Sequence, residues 1–183
     1  ARMLQDSGIQ ALAVHARTRA QMYKGEARWS WLKKLKEDSN IKIPIIGNGD
    51  VTSPDRVKEM FNETAVDAVM IGRGAIGNPW IFRDARSLLK EGELPPPPSW
   101  EERVSVAAQH LELKCEGLGD RRGVLEMRQM YSGYFKSFRG SRQLRSLLME
   151  KDSMSTVLEA LMNFRQTDSD SRISVPEVVS GPA

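Results

Sequence analysis

Three short stretches hold most of the side chains able to do chemistry. The first, VHARTRAQMYKGEARW from Val14 to Trp29, begins with His15 and continues through Arg17, Arg19, Lys24 and Arg28, interleaved with Tyr23 and Trp29. The second, GNGDV from Gly47 to Val51, offers Asn48, Gly49 and Asp50, and the third, GRGAIGNPW from Gly72 to Trp80, offers Gly72 and Arg73. Glycines in such loops let the backbone approach a ligand closely, and their N–H groups can cradle a phosphate. Arg73 adds a charge-assisted contact. A histidine fixed at a strand end can donate to a phosphate oxygen. The alternatives are glycines that only make tight turns and a histidine that caps its strand by bonding backbone.

These stretches need elements to position them. Apolar, β-rich runs cover Ile9 to His15, Ile43 to Gly47 and Ala68 to Gly72, so each chemical stretch begins at or near a strand end. Behind them come helix-like segments: WSWLKKLKEDSN, then SPDRVKEMFNET with Ser53 as N-cap and Pro54 at the first helical position. PWIFRDARSLLKEG follows, with Ile81, Ala85, Leu88 and Leu89 on one predicted face. Strand and helix alternating at this interval predict βαβ units with parallel strands, normally covered on both faces. Two glycine loops in succession at parallel strand ends favour a phosphate site, as after the last two strands of a (β/α)8 barrel.

The chain has 183 residues, a net charge of +3 and 28 % charged residues, so a basic surface must come from local clustering. Its single cysteine, Cys115, excludes an internal disulfide or a multi-cysteine metal site and is predicted to be core. No metal site is expected. No run is long and apolar enough for a bilayer and no signal peptide is visible, so a soluble, cytoplasmic protein without a membrane partner is the expectation. The opening ARMLQDSG reads as the last turns of a helix ended by Gly8, as if the chain began inside a larger protein.

EGELPPPPSW breaks the βα pattern, since four prolines neither continue a helix nor join a sheet. The predicted organisation is a βα part over 1–92, a linker over 93–99, a small helical bundle over 100–165 and a disordered tail over 166–183. Ser99 and Glu102 form a capping box for a helix carrying Val104, Ala107, Ala108 and Leu111. A second helix from about Leu125 places Met127, Met130, Tyr131, Tyr134, Phe135 and Phe138 on one face, with the tyrosines and Phe138 read as core. A third covers Met154 to Phe164 through Leu158, Leu161 and Met162. Arg128, Lys136, Arg139, Arg142 and Arg145 make a basic rim suited to phosphate contacts. Arg17, Arg19 and Lys24 read either as a solvated charged loop or as an RNA contact beside a flipped base.

In their order and spacing, VHARTRAQMYKGEARW, IPIIGNGDV and DAVMIGRGAIGNPWIF resemble the last three strand ends of the bacterial tRNA-dihydrouridine synthases, and GSRQLR, Gly140 to Arg145, resembles a signature of their helical domain. The resemblance covers about residues 1 to 165. It implies an α/β fold, the C-terminal part of a TIM barrel that binds FMN, followed by a helical tRNA-binding domain. It implies reduction of the C5–C6 bond of tRNA uridines with electrons from NADPH. His15 would contact the FMN phosphate or ribityl region, Asn48, Gly49 and Asp50 would line the flavin site, and Gly72 and Arg73 would hold the phosphate. Arg17 and Arg19 would face the RNA.

The family's catalytic cysteine, in a Cys-Pro loop, and its flavin-contacting lysine belong to the N-terminal half of the barrel. Neither is found here, so no catalytic residue is assigned. Cys115 follows the proline linker and cannot take the acid's place. About five of eight strands would have to come from elsewhere in the protein or from another chain. The expectation is therefore a fragment with little or no activity of its own, for which substantial dihydrouridine formation on unmodified tRNA with NADPH would be contrary evidence. Another FMN barrel oxidoreductase, such as a relative of old yellow enzyme, and a non-catalytic RNA-binding module are the alternatives.

Overall fold

A computed structural model describes residues 1–22 and 24–168, with side chains to residue 164. Tyr23 and residues 169–183, most of the expected tail, lie outside the described residues. The chain divides into two compact units that meet between Pro97 and Pro98.

In the first unit the elements run α1 (Arg2–Asp6), β1 (Leu12–His15), α2 (Ser30–Glu37), β2 (Ile45–Asn48), α3 (Pro54–Thr64), β3 (Ala68–Met70) and α4 (Trp80–Lys90). The strands are shorter than the apolar runs, because flanking residues such as Ile9 and Ile43 make no ladder pairs. They form one parallel sheet in the order β1-β2-β3, with His15 beside Asn48 and Asn48 beside Met70. Each local signal has a visible cause. Gly8 takes a left-handed φ of 89° after α1. The Ser53 hydroxyl accepts from the Arg56 N–H, and Pro54 opens α3.

The sheet is covered by helices on one face. Leu32, Ile45, Met60, Val57 and Val66 pack there with Trp29 and Ala85. A Cβ at Gly47 would meet Met60 Sδ at 2.8 Å, so the absent side chain lets the helices sit down on the middle strand. The opposite face carries Ala13, His15, Ala68 and Met70, all exposed among the described residues. Cover on both faces was expected. The chain instead adds each strand beside the last and sends its helices to one side, which is single winding. Lys36 and the Ile45 N–H both bond the Asp67 carboxylate, fixing α2 against the start of β2. On α4, Ile81, Ala85 and Leu88 are buried, whereas Leu89 is exposed and Trp80 takes the inward place.

In the second unit every described element is a helix: α5 (Trp100–Leu118), α6 (Asp120–Met127), α7 (Tyr131–Tyr134), α8 (Ser141–Met149) and α9 (Met154–Asp168), with a 3-10 turn over Arg128–Met130. Ser99 caps α5 by accepting from the Glu102 N–H. The helix expected from Leu125 begins five residues earlier, at Asp120, and is broken by the 3-10 turn. Met127, Tyr131, Tyr134 and Phe135 are nevertheless buried together, while Met130 and Phe138 are only half-buried. Phe138 packs edge-on against Trp100 and under the Arg103 guanidinium.

Helix α8 was not anticipated; it buries Leu144 and Leu148. In α9 the inward residues are Val157, Ala160 and Leu161, and Met162 points to solvent. That helix continues to Asp168, through the first residues of the expected tail. Cys115 is half-buried, not core; its thiol donates to the Asp120 carbonyl, and burial, then the Asp120 charge, push its pKa up. No described helix is long and apolar enough to cross a membrane.

Candidate functional site

The three strands end on one side of the sheet, and their following loops enclose a cleft of about 200 Å³. His15, Asn48, Gly49, Asp50, Gly72 and Arg73, the six residues singled out from sequence for a ligand, all line it. Val51 and Thr52 complete the wall. The volume is below the roughly 300–1,000 Å³ of a whole small-molecule site, so the cleft suits one end of a larger ligand.

Across the strand ends runs a fixed chain of hydrogen bonds. The Asn48 amide Nδ2 donates to the Met70 carbonyl at 2.7 Å, which turns its Oδ1 toward His15 Nδ1. Nδ1 must therefore be the protonated nitrogen, and in the neutral ring Nε2 is an acceptor. A neutral His15 thus serves a hydroxyl or another donor, and only the imidazolium can donate from Nε2 to a phosphate oxygen.

Gly49 and Gly74 bring the loops together. Gly49 takes φ 132°, and a Cβ there would meet the Ala27 Cβ at 2.8 Å, so the loop after β1 closes over it. Its carbonyl accepts from the buried Trp29 indole N–H at 2.9 Å. At Gly74 a Cβ would lie 2.6 Å from the Val51 carbonyl and 3.0 Å from Thr52 Cα. The loop after β3 therefore rests on the backbone of the loop after β2. Gly74 was missed from sequence, although the repeated glycine of GRGA was the available signal.

Charge is gathered at Asp50, which takes a left-handed φ of 55°. Its carboxylate accepts from Arg17, from Arg73 Nη2 at 3.0 Å and from the Ala27 N–H at 2.7 Å. Burial, the largest single influence, raises its pKa, but the bonds from Arg17 and Ala27 and the charges of Arg17 and Arg73 together hold it below the ordinary value.

Here one expectation fails. Arg17 does not reach outward: its side chain is 3 % exposed, and its guanidinium also donates to the carbonyls of Met22, Lys24 and Gly25. The half-buried Asp50 carboxylate, unknown from local sequence, draws it inward. Arg19 and Lys24 are exposed. In the second unit Arg139 and Arg142 are exposed and Arg145 is half-buried. Arg128 is half-buried and donates to the Lys151 carbonyl, so that guanidinium is engaged by the fold and is not part of an open rim.

A family model described as Dihydrouridine synthase (Dus) matches residues 1–169. The chain is 34 % identical over 176 residues to tRNA-dihydrouridine synthase B of Pasteurella multocida, covering 94 % of the chain and 52 % of that relative. It is 37 % identical over 164 residues to the protein of that name from Vibrio vulnificus (90 % and 50 %), and 38 % identical over 146 residues to that of Pseudomonas putida (80 % and 43 %). The chain spans about half the length of the curated relatives it matches.

Proposed function

The chain belongs to the bacterial dihydrouridine synthase family, and from that premise we propose that it is part of an FMN-dependent enzyme that reduces the C5–C6 bond of uridines in tRNA with electrons from NADPH. The observation that carries this reading is the convergence of six residues from three consecutive strand ends on one cleft. The single winding of the sheet supports a sector of a (β/α)8 wall, whose strand ends hold ligands in enzymes of that architecture.

The residues present fit the phosphate end of FMN. Gly72 lines the cleft with no atom within 4 Å of where its Cβ would stand, which leaves its backbone open to a ligand, and Arg73, with its side chain 51 % exposed, supplies a cation at the mouth. When bound, the flavin would supply hydride. The chain's own side chains bind and orient: Arg73 and the backbone N–H groups of the glycine loop hold the phosphate, and His15 Nε2 accepts from a ribityl hydroxyl. Among the described residues the cleft contains no thiol; Cys115, whose thiol donates to the Asp120 carbonyl, does not line it. For tRNA, exposed Arg19 and Lys24 of the first unit and exposed Arg139 and Arg142 of the second are the proposed phosphate contacts, together with half-buried Arg145 on α8.

Titration of the chain with FMN, followed by flavin fluorescence, tests the cofactor half of this reading. Saturable quenching that Arg73→Ala weakens is expected; no response to FMN would overturn it. Gel-shift titration with unmodified tRNA tests the other half. Binding that falls steeply with salt and weakens in Arg139→Ala/Arg142→Ala is expected, and unchanged affinity in that variant would count against it.

A further inference from the structure

A carboxylate in the wall of an anion cleft should repel the ligand, yet Asp50 stands there. Its oxygens are divided between two arginines of different character. Oδ2 takes Arg17 Nη2 at 2.5 Å and the Ala27 N–H, while Oδ1 takes Arg17 Nε at 3.3 Å and Arg73 Nη2 at 3.0 Å. Arg17 is sealed in by three further carbonyl bonds, whereas half the Arg73 side chain faces solvent. The three charges sum to one positive charge, and the member that carries it to the ligand is Arg73.

We propose that Asp50 is a positioning residue for the phosphate subsite: held by Arg17, it sets the Arg73 guanidinium at the cleft mouth and does not itself contact the ligand. The inference rests on the phosphate reading of the cleft given above. It revises the sequence expectation, in which Asp50 lines the flavin site directly. Arg17 then belongs to the cofactor side of the protein, because it anchors the carboxylate that aims Arg73.

Asp50→Asn separates this role from simple charge. Asparagine tolerates the left-handed backbone and matches aspartate in size. Counting charges alone predicts tighter anion binding when the carboxylate is neutralised; positioning predicts weaker binding, by about tenfold for one misplaced charge-assisted contact. FMN and inorganic phosphate are titrated calorimetrically into the unaltered chain, Asp50→Asn, Arg73→Ala and the double variant, each first shown folded by circular dichroism.

The expected result is weaker binding in each single variant and no further loss in the double variant, because Asp50 acts through Arg73. A merely structural role would weaken binding in the Arg73→Ala background as well, and additive losses would overturn the proposal. So would unchanged or tighter binding in Asp50→Asn. If Arg73→Ala or the unaltered chain shows that Arg73 plays no part in binding, the phosphate reading itself fails, an outcome distinct from failure of the Asp50 role alone.

Discussion

Gly74 lies against the Val51 carbonyl so closely that a Cβ would stand 2.6 Å from its oxygen. The Val51 oxygen and the Thr52 Cα, 3.0 Å away, are backbone and cannot rotate aside, whatever the Ile81 side chain beside them does. Gly74→Ala is therefore expected to push the loop after β3 off the loop after β2, at a cost of about 1–3 kcal/mol in urea unfolding. FMN binding should fall further than this stability loss implies, since the displaced loop carries Arg73. A variant that keeps both its unfolding midpoint and its affinity would show that the two loops are not in contact.

Ala65 ends α3 with φ 54°, and its N–H bonds the Phe61 carbonyl. An L-residue pays roughly 1–2 kcal/mol in this region, against about 0.5–1 kcal/mol of extra unfolded-state entropy for glycine. The exposed methyl makes little packing contribution. Ala65→Gly should then stabilise the first unit by about 0.5–1 kcal/mol, read as a higher urea midpoint, and a lower midpoint would contradict the left-handed cap.

The strand ends and their ligand-facing residues were legible because alternation, glycine and position reinforce one another within a few residues. The fate of Arg17 was not, since its partner Asp50 lies 33 residues away and local charge pattern places a guanidinium outside by default. Helix α8 is short, and although Leu144, Leu147 and Leu148 are spaced for a helix, the arginines and glycine around them make the local pattern read as a basic loop. Leu89 and Met162 show the opposite limit, for an apolar residue at helical spacing faces inward only where a neighbour covers it.

Acid should weaken the two units in different ranges. Asp67 has its pKa lowered, first by the Lys36 bond and then by the Ile45 N–H, and Asp50 is lowered as described. A depressed carboxylate contributes stability above its unfolded value, 3.8, and loses it as pH falls through the lower folded value. His110 is also depressed, by burial and then by Lys114, so the contribution of its neutral form is present above 6.5 and fades as pH falls below that. Thermal melts from pH 7 downward should show the second unit weakening first, with His110→Gln flattening that part and Asp67→Asn flattening the more acidic one. Identical profiles in the variants and the unaltered chain would refute these assignments.

Arg17 and Arg19 are neighbours of the same type with opposite expected behaviour. Arg17 is buried against Asp50 and holds three carbonyls of its own loop, so Arg17→Ala leaves a largely buried carboxylate short of its main partner and those carbonyls without a donor. Breaking such a pair costs about 3 kcal/mol. Arg17→Lys should recover only part of it, because an ammonium cannot span the same set of acceptors. Arg19 is exposed, and Arg19→Ala should leave stability within about 0.5 kcal/mol. Its effect should appear instead in tRNA affinity, as a weakening that is uniform across sequences and lowers the salt slope by about one. Urea unfolding and salt-dependent tRNA titration on the three variants decide the matter: equal losses of stability at both positions would mean that Arg19 is also tied into the fold, and loss of tRNA affinity in Arg17→Lys without loss of stability would restore Arg17 to the RNA surface.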